Sequence, residues 1–240
     1  TQVYPNGRKG RSHLPKHKNE GTNPKKSLLQ DMTQQKWENE WSEFMGSNHV
    51  INLIRKTDCS GCGACACACP VSCLSMKRDS EGFDYPNLDR QRCIRCGRCL
   101  SVCPVQSKPE TGNYRRRVFA VQHKDDKIRR ESTSGGAFTA IAEYILQNGG
   151  IVYGAGMDET FQVRHMPASC TEQLALFRNS KYAQSDLGDT FLKIKNELAE
   201  GKRVLFSGTP CQVAGLKKLL PDAGENLVTV DVVCRGIPSP

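Results

Sequence analysis

Apolar positions are spread unevenly along the chain. From residue 118 onward they form short runs and helical spacings that alternate. "VFAVQHK" (118–124) predicts a strand. "SGGAFTAIAEYILQNGG" (134–150) predicts a helix with Ala137, Ala140, Ile141, Tyr144 and Ile145 on its apolar face, Ser134 capping its start and Gly149 closing its end. "IVYGAG" and "FQVRHM" read as two strands joined by a polar turn. "SDLGDTFLKIKNELAEG" (185–201) reads as a helix with Asp186 as N-cap and Leu187, Phe191, Ile194 and Leu198 facing inward. "RVLFSG" has the continuous apolar character of a buried strand, "TPCQVAGLKKLL" is helical, and "NLVTVDVVC" is a further strand ending at Cys234. Strands alternating with helices through short connections imply parallel pairing and right-handed crossovers. The expected class is α/β, with a mainly parallel sheet.

Upstream the pattern is different. Residues 1–30 carry seven Lys or Arg against one Glu and are rich in Pro, Gly, Asn and Ser. Such a segment buries too little surface to offset its ordering entropy, and predicts a solvated, disordered tail. Trp37, Trp41, Phe44 and Met45 share a helical face and predict one short packing helix. The domain division expected is residues 1–50 as tail and helix, 51–109 as a cysteine-rich domain, and 115–240 as the α/β domain. The polar stretch "SKPETGNYRRR" links the last two.

Composition narrows the chemistry. The net charge is +9, and no apolar run approaches the ~20 residues of a membrane span. Nothing resembles a secretory signal. We therefore expect a cytoplasmic protein, in which 13 cysteines serve metal or redox chemistry rather than a disulfide framework. Nucleic-acid binding is disfavoured. The basic tail and Arg115–Arg117 lack the interleaved aromatics that stack on bases.

The cysteine spacing is the strongest signal. Cys59, Cys62, Cys65 and Cys69 precede Pro70, and Cys93, Cys96, Cys99 and Cys103 precede Pro104. Both runs obey C-x2-C-x2-C-x3-C-P, the spacing of bacterial two-cluster ferredoxins. Three thiolates two residues apart wrap one face of an iron–sulfur cubane, and thiolates are soft ligands suited to iron and sulfide. Gly61, Gly63, Ala64 and Gly97 let the backbone approach the sulfides. The fourth cysteine is expected to start a helix that crosses to the other cluster. The ligand sets are then Cys59, Cys62, Cys65 and Cys103 for one [4Fe–4S] cluster, and Cys93, Cys96, Cys99 and Cys69 for the other. Structural zinc, the competing reading, favours paired C-x2-C units over such triplets. Cys67 and Cys73 fall outside the pattern and read as small buried thiols. The repeat predicts an α+β ferredoxin domain that passes single electrons.

In the α/β part, Thr209 suits an N-cap, Pro210 position N1, and Cys211 position N2, where the helix dipole favours a thiolate. Were the two last strands adjacent, Cys211 and Cys234 would share the carboxyl rim of the sheet, where ligands bind in open α/β folds. They would be a metal or redox pair there, or two core thiols. "STSGGAF" at a helix start is suited to seating a phosphate.

The motifs "STSGGAF", "VYGAGMD", "FRNSKYAQSDLG", "VLFSGTPCQVAGLK" and "VDVVCRGIPSP", in this order, resemble the beta-subunit family of coenzyme F-420 (deazaflavin) hydrogenases and dehydrogenases, here with a fused N-terminal two-cluster ferredoxin. The resemblance implies an FAD-binding oxidoreductase that exchanges a hydride with a reduced deazaflavin or similar two-electron carrier and passes electrons singly to iron–sulfur clusters. It implies a redox partner protein or complex subunit. Ser134, Gly135 and Gly136 would form the flavin-binding helix start, Ser180, Lys181 and Tyr182 a pocket segment, and Ser207, Gly208, Thr209 and Cys211 a turn beside the flavin or a third cluster, with Cys234 a further candidate ligand. The chain departs from the family segment at Arg235, where that segment carries His. Family members normally continue past Pro240, so the resemblance also implies a C-terminally truncated chain. Two other readings follow from the residues alone: a non-enzymatic ferredoxin-type subunit whose α/β part only docks a partner, and a basic scaffold with structural clusters.

Overall fold

The computed structural model describes residues 54–106 and 117–238. All of them belong to one compact unit, His49–Pro240. The basic tail, the Trp37–Met45 helix, and Arg115 and Arg116 of the linker lie outside the described residues.

The cysteine-rich part is built twice on one plan. A loop carrying two cysteines leads into helix α1 (Ala64–Cys67), then strands β1 (Leu74–Arg78) and β2 (Asp84–Leu88) pair antiparallel with Leu74 opposite Leu88, and a second loop leads into α2 (Arg98–Ser101). Both helices open on a left-handed glycine: Gly63 at φ 72° and Gly97 at φ 73°. The fourth cysteine of each run follows its short helix rather than starting one. With only three residues between the third and fourth cysteines, the helical turn is used up before Cys69 and Cys103 are reached.

The α/β part contains α3 (Asp126–Arg130), α4 (Ala137–Gln147), β3 (Ile151–Met157), β4 (Val163–Ala168), a 3₁₀ helix (Thr171–Phe177), α5 (Thr190–Ala199), β5 (Val204–Gly208), α6 (Pro210–Leu219) and β6 (Leu227–Asp231). The sheet order is β4-β3-β5-β6. β3–β5 and β5–β6 pair parallel, whereas β3–β4 is an antiparallel hairpin, so the sheet is mixed.

Alternation along the strands sorts the core into two layers. Tyr153, Val204 and Phe206 face α5 and α6, with Phe191, Ile194, Val213 and Leu216. Val152 and Leu205 face α4 and the 3₁₀ helix, with Ala142, Ile145, Leu174 and Phe177. The first layer also contains Cys62, Ala64 and Val102, so the ferredoxin part is continuous with the α5/α6 side of the core. Fully burying one such large side chain contributes about 1.5–3 kcal/mol.

Several local expectations change. Residues 118–124 form no strand. They run unpaired past the start of α4, with Val118, Phe119 and Val121 exposed and the His123 amide donating to the Gly135 carbonyl. α4 is capped by Gly136 at φ 78°, not by Ser134, and it buries Thr139, Ala142 and Ile145 while Ile141 and Tyr144 stay exposed. The buried stripe lies one step around the helix from Ile141 and Tyr144, because small Ala142 and Thr139 are what fit close to the sheet. α5 starts after Asp189 rather than Asp186, whose carboxylate accepts the Gly188 amide and faces Arg164. β6 ends at Asp231, so Cys234 lies in the following loop. Among the described residues no helix is long and apolar enough to cross a membrane.

Candidate redox centres

The first cysteine run lies against α6. Cys62 and Cys65 are buried, and Cys59, Cys62, Cys65 and Cys103 are electrostatic neighbours of one another. Burial pushes the Cys62 thiol up to about 11, and raises Cys65 further. Protons held so firmly are released only when a cation compensates the thiolates, which is how metal uptake couples to folding and to pH. The four soft donors suit an iron–sulfur cubane. Cys211 at the second position of α6 is an electrostatic neighbour of Cys59 and Cys62, and its Sγ lies 3.1 Å from Thr209 Oγ1.

The second set is gathered differently. Cys69, Cys93, Cys96 and Cys99 line one small cavity with Leu74, Leu88 and Ile94. Cys73, which the spacing left aside, lines it too, with its Sγ 3.3 Å from that of Cys69. Burial, then the hydrogen bonds with Cys69 and Cys93, push the Cys73 thiol up to about 12. Cys67 is half-buried against the α5/α6 core layer, and burial likewise raises its thiol, to about 11.

The third centre is a cavity of about 1430 Å³ at the carboxyl edge of β5 and β6. Small-molecule sites usually hold about 300–1,000 Å³, so this one lies above the usual range. Ser134, Gly135, Gly136, Ser180, Lys181, Tyr182, Ser207, Gly208 and Thr209 all line it. Gly135 and Gly136 are required by their surroundings. A Cβ on Gly135 would collide with the Val121 carbonyl, and one on Gly136 would sit 3.0 Å from His123 Cβ. The N-terminus of α4 has no side-chain cap, so its first amides face this cavity wall without a partner from the capping residue.

Lys181 donates to the Leu176 and Arg178 carbonyls at 2.8 and 2.6 Å, which places its ammonium in the wall, and burial lowers its pKa. Arg178 is paired with Glu131. Cys234 lines the cavity, but Cys211 does not. β5 and β6 are adjacent and parallel, as the shared-rim reading required; Cys234 lies beyond the end of β6, and Cys211 also packs on the core layer that holds Cys62.

Sequence reading missed three lining residues. His165 is 8% exposed, stacks on Phe206 at 5.1 Å and 20°, and its Nε2 meets the Ser207 carbonyl at 3.0 Å. A carbonyl only accepts, so Nε2 carries the proton; burial lowers the pKa to about 4, and the ring is neutral. Gln212 accepts the Thr209 amide at 2.9 Å and donates to Ser185 Oγ at 3.0 Å, holding the turn before α6 to the 178–188 loop. The T-x-x-Q spacing of a capping box was the signal available for Gln212. Nothing local distinguished His165 or Ser185.

One helix connects the centres. Thr209 and Gln212 at the start of α6 line the large cavity, and one turn later Gly215 meets the first cysteine run. A Cβ at Gly215 would lie 3.0 Å from Ala64 Cβ and 3.3 Å from Cys62 Sγ. At 1.5 Å rise per residue, the cavity wall and the point of α6 that meets Cys62 are within about 5 Å along the helix axis.

Among the described residues the thiols are not drawn into a closed metal-holding group, and the class of protein, an iron–sulfur redox protein, comes from the cysteine spacing and the comparisons with known proteins. Residues 58–107 and 85–139 match 4Fe-4S dicluster domains, and residues 118–190 match the N-terminal part of the coenzyme F420 hydrogenase/dehydrogenase beta subunit. The chain belongs to that beta-subunit family, with an iron–sulfur ferredoxin region ahead of it. It is 32% identical over 168 residues to the coenzyme F420-dependent sulfite reductase of Methanocaldococcus jannaschii, covering 67% of this chain and 25% of that protein. The chain thus spans about a quarter of the length of this curated relative. A chain of the F420-reducing [NiFe] hydrogenase complex from Methanosarcina barkeri is 26% identical, with a TM-score of 0.42 over 49% of this chain and 44% of that one.

Proposed function

We propose that this chain is a flavin- and iron–sulfur-dependent oxidoreductase that links a hydride-carrying coenzyme, a reduced deazaflavin or a close analogue, to one-electron carriers. The observation that carries this reading is the convergence of three separate motifs, 134–136, 180–182 and 207–209, on one cavity, together with the single turn of α6 between that cavity and Cys62. FAD, when bound, would accept two electrons as hydride and release them one at a time. The chain's residues would bind and orient it. Gly135, Gly136 and the uncapped amides of α4 would take phosphate, Ser180 and Thr209 would donate hydroxyls, and neutral His165 under the β5 edge would add no charge to the cavity.

Cys59, Cys62, Cys65 and Cys103 would hold the cluster nearer the cavity, and Cys93, Cys96, Cys99 and Cys69 the outer one. Cys211 lies between the cavity wall and the first set. Its position suits a thiol that influences passage between them, or a ligand of a third cluster. The remainder of the path would run to a partner protein.

The test is anaerobic purification followed by FAD titration. A flavin shoulder over a broad iron–sulfur absorption, with about eight irons per chain, is expected. Gly135→Val should abolish flavin retention and leave iron unchanged. A protein that holds the clusters yet neither carries nor binds flavin would overturn the flavoenzyme reading in favour of a ferredoxin-type subunit.

A further inference from the structure

The second cysteine run is set among arginines. Arg90, Arg92, Arg95 and Arg98 fall within nine residues and all are exposed. The matching positions of the first run hold Lys56, Asp58, Gly61 and Ala64. Among the described residues none of the four arginines has a carboxylate within ion-pair distance, although Arg92 Nη2 donates to the Val71 carbonyl at 2.9 Å. By contrast Arg55, Lys56 and Arg78 in the same region are each paired with an aspartate.

Arg95 adds an independent observation. It holds φ 57°, where the first run has Gly61 at φ 64°. A non-glycine residue there costs about 1–2 kcal/mol. Glycine would be cheaper at that backbone, and nothing in the described fold pairs with the arginine head. Strain kept on a surface side chain points to a use for it. Arg95 lines one small cavity with Cys96, which is exposed, and Ile94, which is 60% exposed. An apolar side chain, an exposed thiol and an arginine without a carboxylate partner lie together at one place, with the three other arginines within five residues of Arg95 along the chain.

We propose that this face docks an acidic one-electron carrier protein and is where electrons leave the chain. The proposal rests on the electron-transfer reading above and specifies its exit. One electron passes from the reduced chain to the oxidised carrier; no bond changes and no proton moves. Uncompensated charge of one sign steers an oppositely charged partner and suits the small, transient interfaces of redox encounters. Nucleic acid is the less favoured occupant, since residues 89–106 contain no aromatic side chain to stack on a base.

The experiment uses the cluster-loaded chain and an acidic [2Fe–2S] ferredoxin as probe, with basic cytochrome c and a short single-stranded DNA as controls. Binding is measured by titration calorimetry at low and physiological salt. The ferredoxin should bind with an affinity that falls about tenfold or more as salt rises. Arg95→Gly, which relieves the backbone, should weaken binding about 3–10-fold with iron content unchanged. Arg90→Glu/Arg98→Glu should weaken it about 100-fold or more. The proposal is overturned by ferredoxin binding that ignores both variants, by no binding to the wild type, or by tighter binding of cytochrome c or DNA. A wild-type chain that holds no iron would instead sink the electron-transfer reading itself, and the exit with it.

Discussion

The two cysteine runs share spacing, helix length and backbone, yet they occupy opposite environments. Cys62 and Ala64 belong to the core beneath α5 and α6; their counterparts Cys96 and Arg98 are exposed. The difference is concentrated at one pair. Gly61 and Arg95 both lie in the left-handed region. A Cβ on Gly61 would strike the Gln184 side chain and come within 2.6 Å of the Asp84 carbonyl, whereas Arg95 points to solvent. A duplicated loop can keep its ligand geometry while its outer surface is rewritten, because the geometry depends on φ/ψ and the surface on side chains. One copy then serves as an internal contact and the other as an external face.

Exchanging that pair should give the largest effect. Gly61→Arg combines left-handed strain with forced overpacking and should cost about 3–5 kcal/mol, with loss of about half the iron. Arg95→Gly should be neutral or stabilising by up to about 1 kcal/mol. Anaerobic denaturant unfolding with iron and sulfide assays measures both. Equal costs would mean the two runs are not differently packed.

Acid should separate the buried unit from the exposed run next. Burial depresses His165 to about 4 from an ordinary value near 6.5, so between those values the unfolded chain binds the extra proton. The contribution is fully present above about pH 6.5 and is lost as pH falls towards about 4, by roughly 3 kcal/mol in all. No histidine lies among described residues 54–106. His165→Phe should flatten the wild-type slope of stability against pH in this window; parallel slopes would place the titration elsewhere.

A wedge at the contact itself should act more mildly. Gly215→Val pushes α6 against Ala64 and Cys62 and should cost about 1–3 kcal/mol. Reduction of the clusters from the cavity side should slow, while direct dithionite reduction of the outer run stays fast. A stopped-flow comparison reads this, and unchanged cavity-side kinetics would remove α6 from the route.

The smallest effect is expected at the α6 cap. Gln212→Ala breaks the bond to the Thr209 amide and the bond to Ser185, for about 1 kcal/mol by thermal unfolding. It should loosen the cavity wall and lower ligand affinity there before it changes iron content.

Local chemistry made much of this protein legible from residue order. The duplicated cysteine spacing, the α6 start at Thr209-Pro210 and the buried helical face Phe191–Ile194 all follow from interactions within a few residues. Tertiary structure decided the rest, because it depended on what lies across space. The apolar segment 118–121 looks like a strand but pairs with neither edge of the sheet, β4 or β6, because its backbone is held instead against the start of α4, where the His123 amide meets the Gly135 carbonyl. Thr139 and Ala142 are buried in preference to Ile141 and Tyr144 because the sheet stands close to α4. Cys211 meets the first cysteine run because α6 carries it towards Cys62, whereas Cys234, three residues beyond the end of β6, lines the large cavity. Pattern and spacing specify which groups are available; only the packing of α6 between sheet and ferredoxin determines which of them meet.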